Sequence, residues 1–333
     1  MNDIRSRATL EDVAALAKVS TATVSRFLNN PGALTASTAE RVREAVEAID
    51  YVPNLLAGGL ASKRSRIIAT LVPSIAESIF NDTIEAMVGA LTEDGYMPLL
   101  GLTKSNDAHM GELIDTILAR QAEALILTGQ LTDVFTRERL RRVQITVIET
   151  WGLPDDPIDV AVGFSHRAVG EEIARFILDR GYRRPFLVVP DSQRSGLRRS
   201  GFVDVWNAAG GAKVTELSMP VPSCFSQGRL VFRRMLEMQR RPDVVICGSD
   251  MLAQAIMIEA SAAGLRIPDD LAVIGFGNLA VAAAMRPTMT TIDVDGTRIG
   301  REAVALLRRR AAGNESESRS IDVGFRIIAR ESA

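Results

Sequence analysis

Residues 19–30 read VSTATVSRFLNN and carry Thr21, Ala22, Thr23, Ser25 and Arg26 almost side by side. An arginine fork can grip the O6 and N7 edge of guanine. A threonine can hydrogen-bond a base or offer its methyl to thymine, and an alanine can do only the second. Ser25, Thr23 and the backbone N–H groups at helix starts suit phosphate oxygens. Only Val24, Phe27 and Leu28 supply an apolar side. A helix of this composition has a narrow inner face and a smooth, small-residue outer face that fits closely against another surface.

The flanking sequence predicts the elements that hold this helix. Thr9-Leu-Glu-Asp12 is a capping-box start, a hydroxyl followed three residues later by a carboxylate. Leu10, Val13, Ala14, Leu16 and Ala17 then give a helical apolar face. Lys18-Val19 turns the chain, and Ser20 can cap the next helix. Asn29-Asn-Pro-Gly32 is a loop signal, and Ser37-Thr-Ala-Glu40 is a second capping-box start. Val42, Ala45, Val46 and Ile49 follow at helical spacing. Helix, short turn and a second helix opening on small polar residues is the helix-turn-helix pattern, whose second helix enters the major groove. Spacing alone also admits a small helical bundle docked on the body, with Arg26 merely solvated.

Bulk properties narrow the classes. A chain of 333 residues exceeds one ordinary core and predicts two or three domains. The net charge is −2, yet residues 1–66 hold nine Lys/Arg against seven Asp/Glu, and Lys63, Arg64 and Arg66 cluster where that segment ends. Charge distribution, more than its sum, marks a nucleic-acid binder. Cys224 and Cys247 are too few for a disulfide framework and read as core residues. No Cys/His spacing suggests zinc, and the Asp155-Asp156 pair reads as loop charge, so neither metal nor cofactor is expected. The polar start MNDIRSRATLEDVA is no signal peptide, and no apolar run is long enough for a membrane helix. A cytoplasmic protein follows as the expectation.

Beyond residue 66 apolar strand-like runs alternate with amphipathic helices, at 67–72, 98–102, 124–128, 145–149, 185–189, 244–247 and 271–276. Continuously apolar strands in a β/α alternation predict parallel sheets covered on both faces, here two doubly wound halves. An enzyme on such sheets would need a phosphate loop or an activated nucleophile. GxGxxG after a strand, GxxxxGK[ST] and GxSxG are all missing. A periplasmic solute-binding protein would share the body but would need a signal peptide and have no use for residues 1–62.

The run TLEDVAALAKVSTATVSRFLNN, then Arg41-Val-Arg43 and YVPNLLAGGLAS, resembles the lac/gal repressor family (LacI–GalR). The resemblance extends along nearly the whole chain, and ETWGLPDDPIDVAVGFSH looks like its gluconate-repressor branch. It implies an α/β protein with an N-terminal three-helix helix-turn-helix domain and a hinge helix. A periplasmic-binding-protein-like core of two doubly wound parallel subdomains follows. The expected boundaries are 1–52 for the DNA-binding domain and 53–65 for the hinge or linker. The first effector subdomain takes 66–164 with about 293–320, and the second takes 165–292 with about 321–333. By the same analogy Thr21, Ala22 and Arg26 read bases, Thr23, Ser25 and Asn29 join them at the DNA, and Asn54, Ala57 and Leu60 act from the hinge. Leu60 matches the leucine that the family wedges into the minor groove; such wedges kink DNA. Leu55 to Ser62 is about two turns, too short to be stable alone, and Gly58 and Gly59 weaken it further.

The resemblance also places an effector at the carboxyl ends of the parallel strands. It implicates Glu149, Phe164, Arg198, Ser249 beside Asp250, and Ser74. Gly277, in Ile274-Gly-Phe-Gly-Asn278, stands where neutral-sugar binders often carry an aspartate. Without that carboxylate, and with Arg194 and Arg199 near Arg198, the expected effector is an anionic sugar, gluconate or another sugar acid, perhaps phosphorylated. Arg194 and Arg199 also fit a solvated role. His166 reads as a cleft-rim or surface histidine and His109 as a solvated one. Trp151 and Trp206 fit either ligand stacking or wall packing. The function expected is that of an effector-controlled operator-binding regulator, a repressor, and not an enzyme. An activator or a corepressor-dependent regulator is the alternative, and a solute-binding protein the remote one. The partners expected are pseudopalindromic double-stranded DNA, a small sugar or sugar acid and a second copy of the chain, with no membrane. No leucine heptad follows Ile327-Ile-Ala-Arg330, so a dimer is expected.

Overall fold

The computed structural model describes residues 8–52, 65–103, 107–143, 145–313 and 319–333. The expectations placed on Asn54, Ala57, Leu60 and the paired glycines lie outside them. Contacts divide the chain into two units, Met1–Ser65 and Arg66–Ala333.

The first unit holds helices α1 (Leu10–Ala17), α2 (Thr21–Asn29) and α3 (Ala36–Ala48). The capping box closes as the sequence predicts: the Asp12 N–H donates to Thr9 Oγ1 at 3.2 Å and the Thr9 N–H to Asp12 Oδ2 at 2.8 Å. Lys18 ends α1 in the left-handed region at φ 53°. Ser20 Oγ accepts the Thr23 N–H at 3.2 Å and starts α2. Val13, Val24, Phe27, Val42 and Tyr51 make the core of this unit. Two details differ from the pattern reading. Leu16 is exposed, because the buried stripe runs through Val13, Ala14 and Ala17 and Leu16 falls beside it. No box forms at 37–40: α3 begins two residues earlier, after Thr35, and Glu40 pairs with Arg43 instead.

Among the described residues the second unit holds twelve strands. These are β1 (Ile67–Val72), β2 (Met97–Leu102), β3 (Ala124–Thr128), β4 (Thr146–Thr150), β5 (Val160–Gly163) and β6 (Pro185–Pro190), then β7 (Thr215–Met219), β8 (Val244–Cys247), β9 (Ala272–Ile274), β10 (Thr291–Asp293), β11 (Ser320–Asp322) and β12 (Arg326–Ile328). One parallel sheet has the order β11-β5-β4-β3-β1-β2 and a second the order β7-β6-β8-β9. Strand β3 is buried along its whole length, as helices on both faces require. Strand β7 escapes the apolar-run reading because Thr215, Glu216 and Ser218 make it polar.

Three passages of chain link the sheets. From β5 the chain enters the helix His166–Asp179, which packs on Gln193–Ala208 beside the second sheet. From β10 it returns to the helix Gly296–Ala311, packed on Asn81–Glu93 beside the first. From β11 it crosses again to β12, which pairs antiparallel with β10, and Ser332 then bonds to Val273. Two lobes on three crossings can close or open on what lies between them. Cys247 is in the core, but Cys224 is half-buried at the start of the helix Phe225–Leu236. Its neighbours there are polar, which is why the core expectation fails. Among the described residues no helix is long and apolar enough to cross a membrane.

Candidate functional site

A cleft enclosing about 700 Å³, open solvent at its mouth included, lies at the carboxyl ends of β6 and β8. Glu77, Ile79, Phe80 and Trp151 face it from the first lobe. Arg194, Arg198, Ser195, Ser249 and Phe276 face it from the second. Three helices start at this place, each capped by its preceding serine: Ser165, Ser192 and Ser249. Helix amino ends carry partial positive charge, so the backbone alone already favours an anion here.

The arginines add full charges. Arg198 Nη2 donates to Ser195 Oγ at 2.9 Å and Nη1 to His166 Nδ1 at 3.1 Å, and its Cζ stands 4.2 Å from the centre of the Phe276 ring. Arg194 lies over Phe80 at 5.0 Å, and its Nη1 is buried with no hydrogen-bond partner. Desolvation and the Arg194 charge pull the Arg198 guanidinium down to about 9, which leaves it a cation at neutral pH. Burial pushes the Glu77 carboxyl up, while Arg194, a backbone bond from Ser223 and Arg198 pull it back. A buried donor without a partner costs about 1–3 kcal/mol. An acceptor that reached Arg194 Nη1 would remove that cost.

His166 fixes Arg198. The ring is buried, its Nε2–H donates to the Trp151 carbonyl at 2.8 Å, and its Nδ1 is left to accept from Arg198. Desolvation first, then the charges of Arg198 and Arg194, hold its pKa well below 6.5. Trp151 sits at φ 62° and passes the chain of bonds on: its Nε1–H donates to Thr83 at 3.0 Å, and Thr83 donates to the Gly296 carbonyl at 2.9 Å. A cleft arginine is thus tied through one neutral imidazole to the first lobe. The unfolded chain protonates this histidine near its ordinary pKa of about 6.5 while the fold resists. Below that pH the unfolded state binds the extra proton, so stability is lost as pH falls, by at most about 1.4 kcal/mol per unit. His166→Gln should flatten this dependence. Melting curves at about pH 7.5 and 5.5 test it, and equal pH slopes for both proteins would refute the assignment.

Arg198 and Ser249 line the cleft as the sequence suggests; the other four expected effector residues do not. Glu149 is fully buried one residue before β4 ends and accepts from Arg137 at 3.2 Å and the Ile158 N–H at 2.8 Å. It serves the strand's far side, and Trp151, two residues on, reaches the cleft. Phe164 is also fully buried, ringed by Trp151, His166, Phe276 and Phe325 beneath the cleft floor. Ser74 Oγ accepts from the Ala76 N–H at 3.0 Å within its own loop. Gly277, at φ 127°, lies against Ile79 while its neighbour Phe276 lines the cleft. Arg194 belongs to the cleft and is not solvated, whereas Arg199 is exposed and paired with Glu216. His166 is a buried wall residue and not a rim one. Sequence reading missed Glu77: one carboxylate in a Pro-Ser-Ile-Ala-Glu loop gives no signal of its own.

On the first unit, Thr21, Ala22, Ser25, Arg26 and Asn29 form one exposed face of α2, opposite buried Val24 and Phe27. Thr23 is half-buried, with its hydroxyl 2.9 Å from that of Ser20, and Asn29 donates back to the Ser25 carbonyl at 2.8 Å. Among the described residues Arg26 has no ion-pair partner.

Residues 9–54 match the profile of bacterial regulatory proteins of the lacI family, and residues 174–333 that of a periplasmic binding protein-like domain. The HTH-type transcriptional regulator GntR of Pseudomonas aeruginosa is 34% identical over 328 residues, 98% of this chain and 96% of the relative. A LacI-family transcriptional regulator from Silicibacter pomeroyi has a crystal structure that superposes at TM-score 0.91, with 28% identity, over 98% of this chain and 99% of that one. The lac repressor dimer bound to operator and an anti-inducer shares the fold at TM-score 0.85, with 22% identity, over 98% and 99% of the two chains.

Proposed function

The chain belongs to the lacI family of bacterial regulatory proteins, transcriptional regulators and not enzymes, and on that premise we propose that it is a homodimeric repressor whose grip on a pseudopalindromic operator is set by a sugar acid held between Arg194 and Arg198. The carrying observation is the pair of arginines, Arg194 and Arg198, that lines the cleft at the strand ends, with one Arg194 nitrogen still lacking a hydrogen-bond partner. A carboxylate accepts from two guanidiniums with bidentate geometry, which a neutral sugar cannot match. Gly277 supports the same choice, since it brings no carboxylate to pair with sugar hydroxyls. Likeness to the gluconate-repressor branch makes gluconate the first candidate.

Because the first lobe brings Glu77 and Trp151 and the second brings the arginines, a ligand touching both favours one lobe arrangement over another. It shifts the equilibrium only by its differential affinity for the two. On the DNA side, Thr21, Ala22 and Arg26 read base edges, with Thr23, Ser25 and Asn29 around them.

Two measurements on the intact protein test this reading. Calorimetry should show D-gluconate binding and D-glucose not. A gel shift on a palindrome selected from random duplexes should change when gluconate is added. Arg26→Ala should weaken that palindrome by about 1–3 kcal/mol, the worth of a bidentate base contact, and narrow its advantage over random duplex. Binding of glucose alone would defeat the sugar-acid reading. No preference for any palindrome would defeat the operator reading.

A further inference from the structure

We propose that Glu77 makes the cleft selective for a singly charged sugar acid over a doubly charged one such as its phosphate ester. This rests on the sugar-acid reading above and narrows it.

The charged groups lining the cleft are few. Among the described residues that line it, Arg194 and Arg198 are the cations and Glu77 is the one carboxylate. His166 is neutral, because its Nδ1 accepts from Arg198 while its Nε2–H is spent on the Trp151 carbonyl. Asp250, next to Ser249, is fully buried behind the wall, where it accepts from Thr291 at 2.5 Å and from the Leu279 N–H at 2.7 Å. With Glu77 ionised, the side chains of the cleft carry one unit of positive charge in excess, enough to neutralise one carboxylate, with the partial charge of the helix amino ends beside it.

Glu77 is also placed to be felt. It sits on the first lobe, lines the cleft with the two arginines, and feels the charges of both as well as the Ser223 backbone of the second lobe. A ligand carboxylate on the guanidiniums directs the rest of a six-carbon chain toward the other lining groups. Those are the apolar Ile79, Val221, Phe276 and Leu279, the hydroxyls of Ser78, Ser223 and Ser249, and Glu77. Among the described residues that line the cleft no third cation is available to a second anionic group. Charges held in a desolvated cleft are screened far less than at a surface. A phosphate there finds hydroxyls but no further cation and meets the like charge of Glu77, while a terminal hydroxyl can donate to the Glu77 carboxylate.

The test is calorimetry of D-gluconate and 6-phospho-D-gluconate on the intact wild type, on Glu77→Gln and on Glu77→Asp. The wild type should prefer gluconate by at least tenfold. Glu77→Gln keeps the size and removes the charge, and should shrink that preference severalfold by raising affinity for the phosphorylated acid. Glu77→Asp keeps the charge and should keep the preference. The proposal is overturned by equal wild-type affinities, by an unchanged ratio in Glu77→Gln, or by loss of the ratio in Glu77→Asp. A wild type that binds neither acid overturns the underlying sugar-acid reading as well, and is thereby told apart from a failure of the charge argument alone.

Discussion

Arg198→Met should cost gluconate affinity on the order of a hundredfold while ligand-free operator binding stays within a few-fold of wild type. The guanidinium is held in place before any ligand arrives, by Ser195 at 2.9 Å and His166 at 3.1 Å, and it stacks on Phe276 at 4.2 Å. A prepositioned donor loses little freedom on binding, so more of its interaction appears as affinity. Charge-assisted bonds in a desolvated site contribute about 3 kcal/mol, which is about two decades. Methionine keeps an unbranched stem against Phe276, so the loss reports charge more than packing. Arg199→Met is the matched control. Its guanidinium is exposed and paired with Glu216, a surface pair worth about 0–1 kcal/mol. Calorimetry with gluconate on both variants decides the matter, and equal affinities would remove the anion site from this cleft.

His166 sets a second consequence of the same change. With Arg198 gone, Nδ1 becomes a buried acceptor with no donor, since Nε2 remains committed to Trp151. That leaves a penalty of about 1–3 kcal/mol, offset in part by relief of the repulsion between Arg194 and Arg198. Arg198→Met should therefore melt somewhat below wild type even without ligand, and Arg199→Met should not.

How far the sequence discloses this site depends on the kind of signal. The three helices of the first unit are legible because caps and apolar spacing are local, and Thr9, Asp12, Ser20, Val24 and Phe27 all act as their types suggest. Strands β1, β3 and β8 are legible because burial on both faces leaves a continuous apolar run. Strand β7 and the crossing pair β10 and β12 are short or polar, and their partners are far away in sequence. Within the cleft Arg198 is legible only through the family resemblance, and the place of Arg194 is not legible at all, because whether it is enclosed depends on Phe80 and Gly129, distant in the chain. Glu149 and Glu77 show the limit most clearly. Both are single carboxylates just past or near a strand end. Arg137 and the Ile158 N–H claim the first for the lobe interior, and only the fold leaves the second facing the arginines.

Gly170→Ala should lower the melting temperature and weaken gluconate binding together, although Gly170 does not line the cleft. The helices His166–Asp179 and Gln193–Ala208 meet backbone to backbone. A Cβ on Gly170 would lie 1.8 Å from the Arg198 carbonyl oxygen and 2.8 Å from the Phe202 nitrogen. On the facing helix, a Cβ on Gly201 would lie 2.1 Å from the Arg167 carbonyl oxygen. Each glycine is thus the notch that receives the other helix. Helix propensity favours alanine over glycine by about 1 kcal/mol, which pulls the other way. The contact wins, because its partners are backbone atoms of a second helix and cannot rotate aside. Forcing the helices apart costs about 1–3 kcal/mol or more, and it displaces the very turn that carries Arg198 and Ser195. Gly196→Ala on the same helix supplies the opposite sign: a Cβ there meets nothing within 4 Å, so only the propensity gain remains. Thermal melts should place Gly170→Ala below wild type and Gly196→Ala at or above it. If the two variants melted alike, the close approach of these helices would not be what holds Arg198 at the cleft.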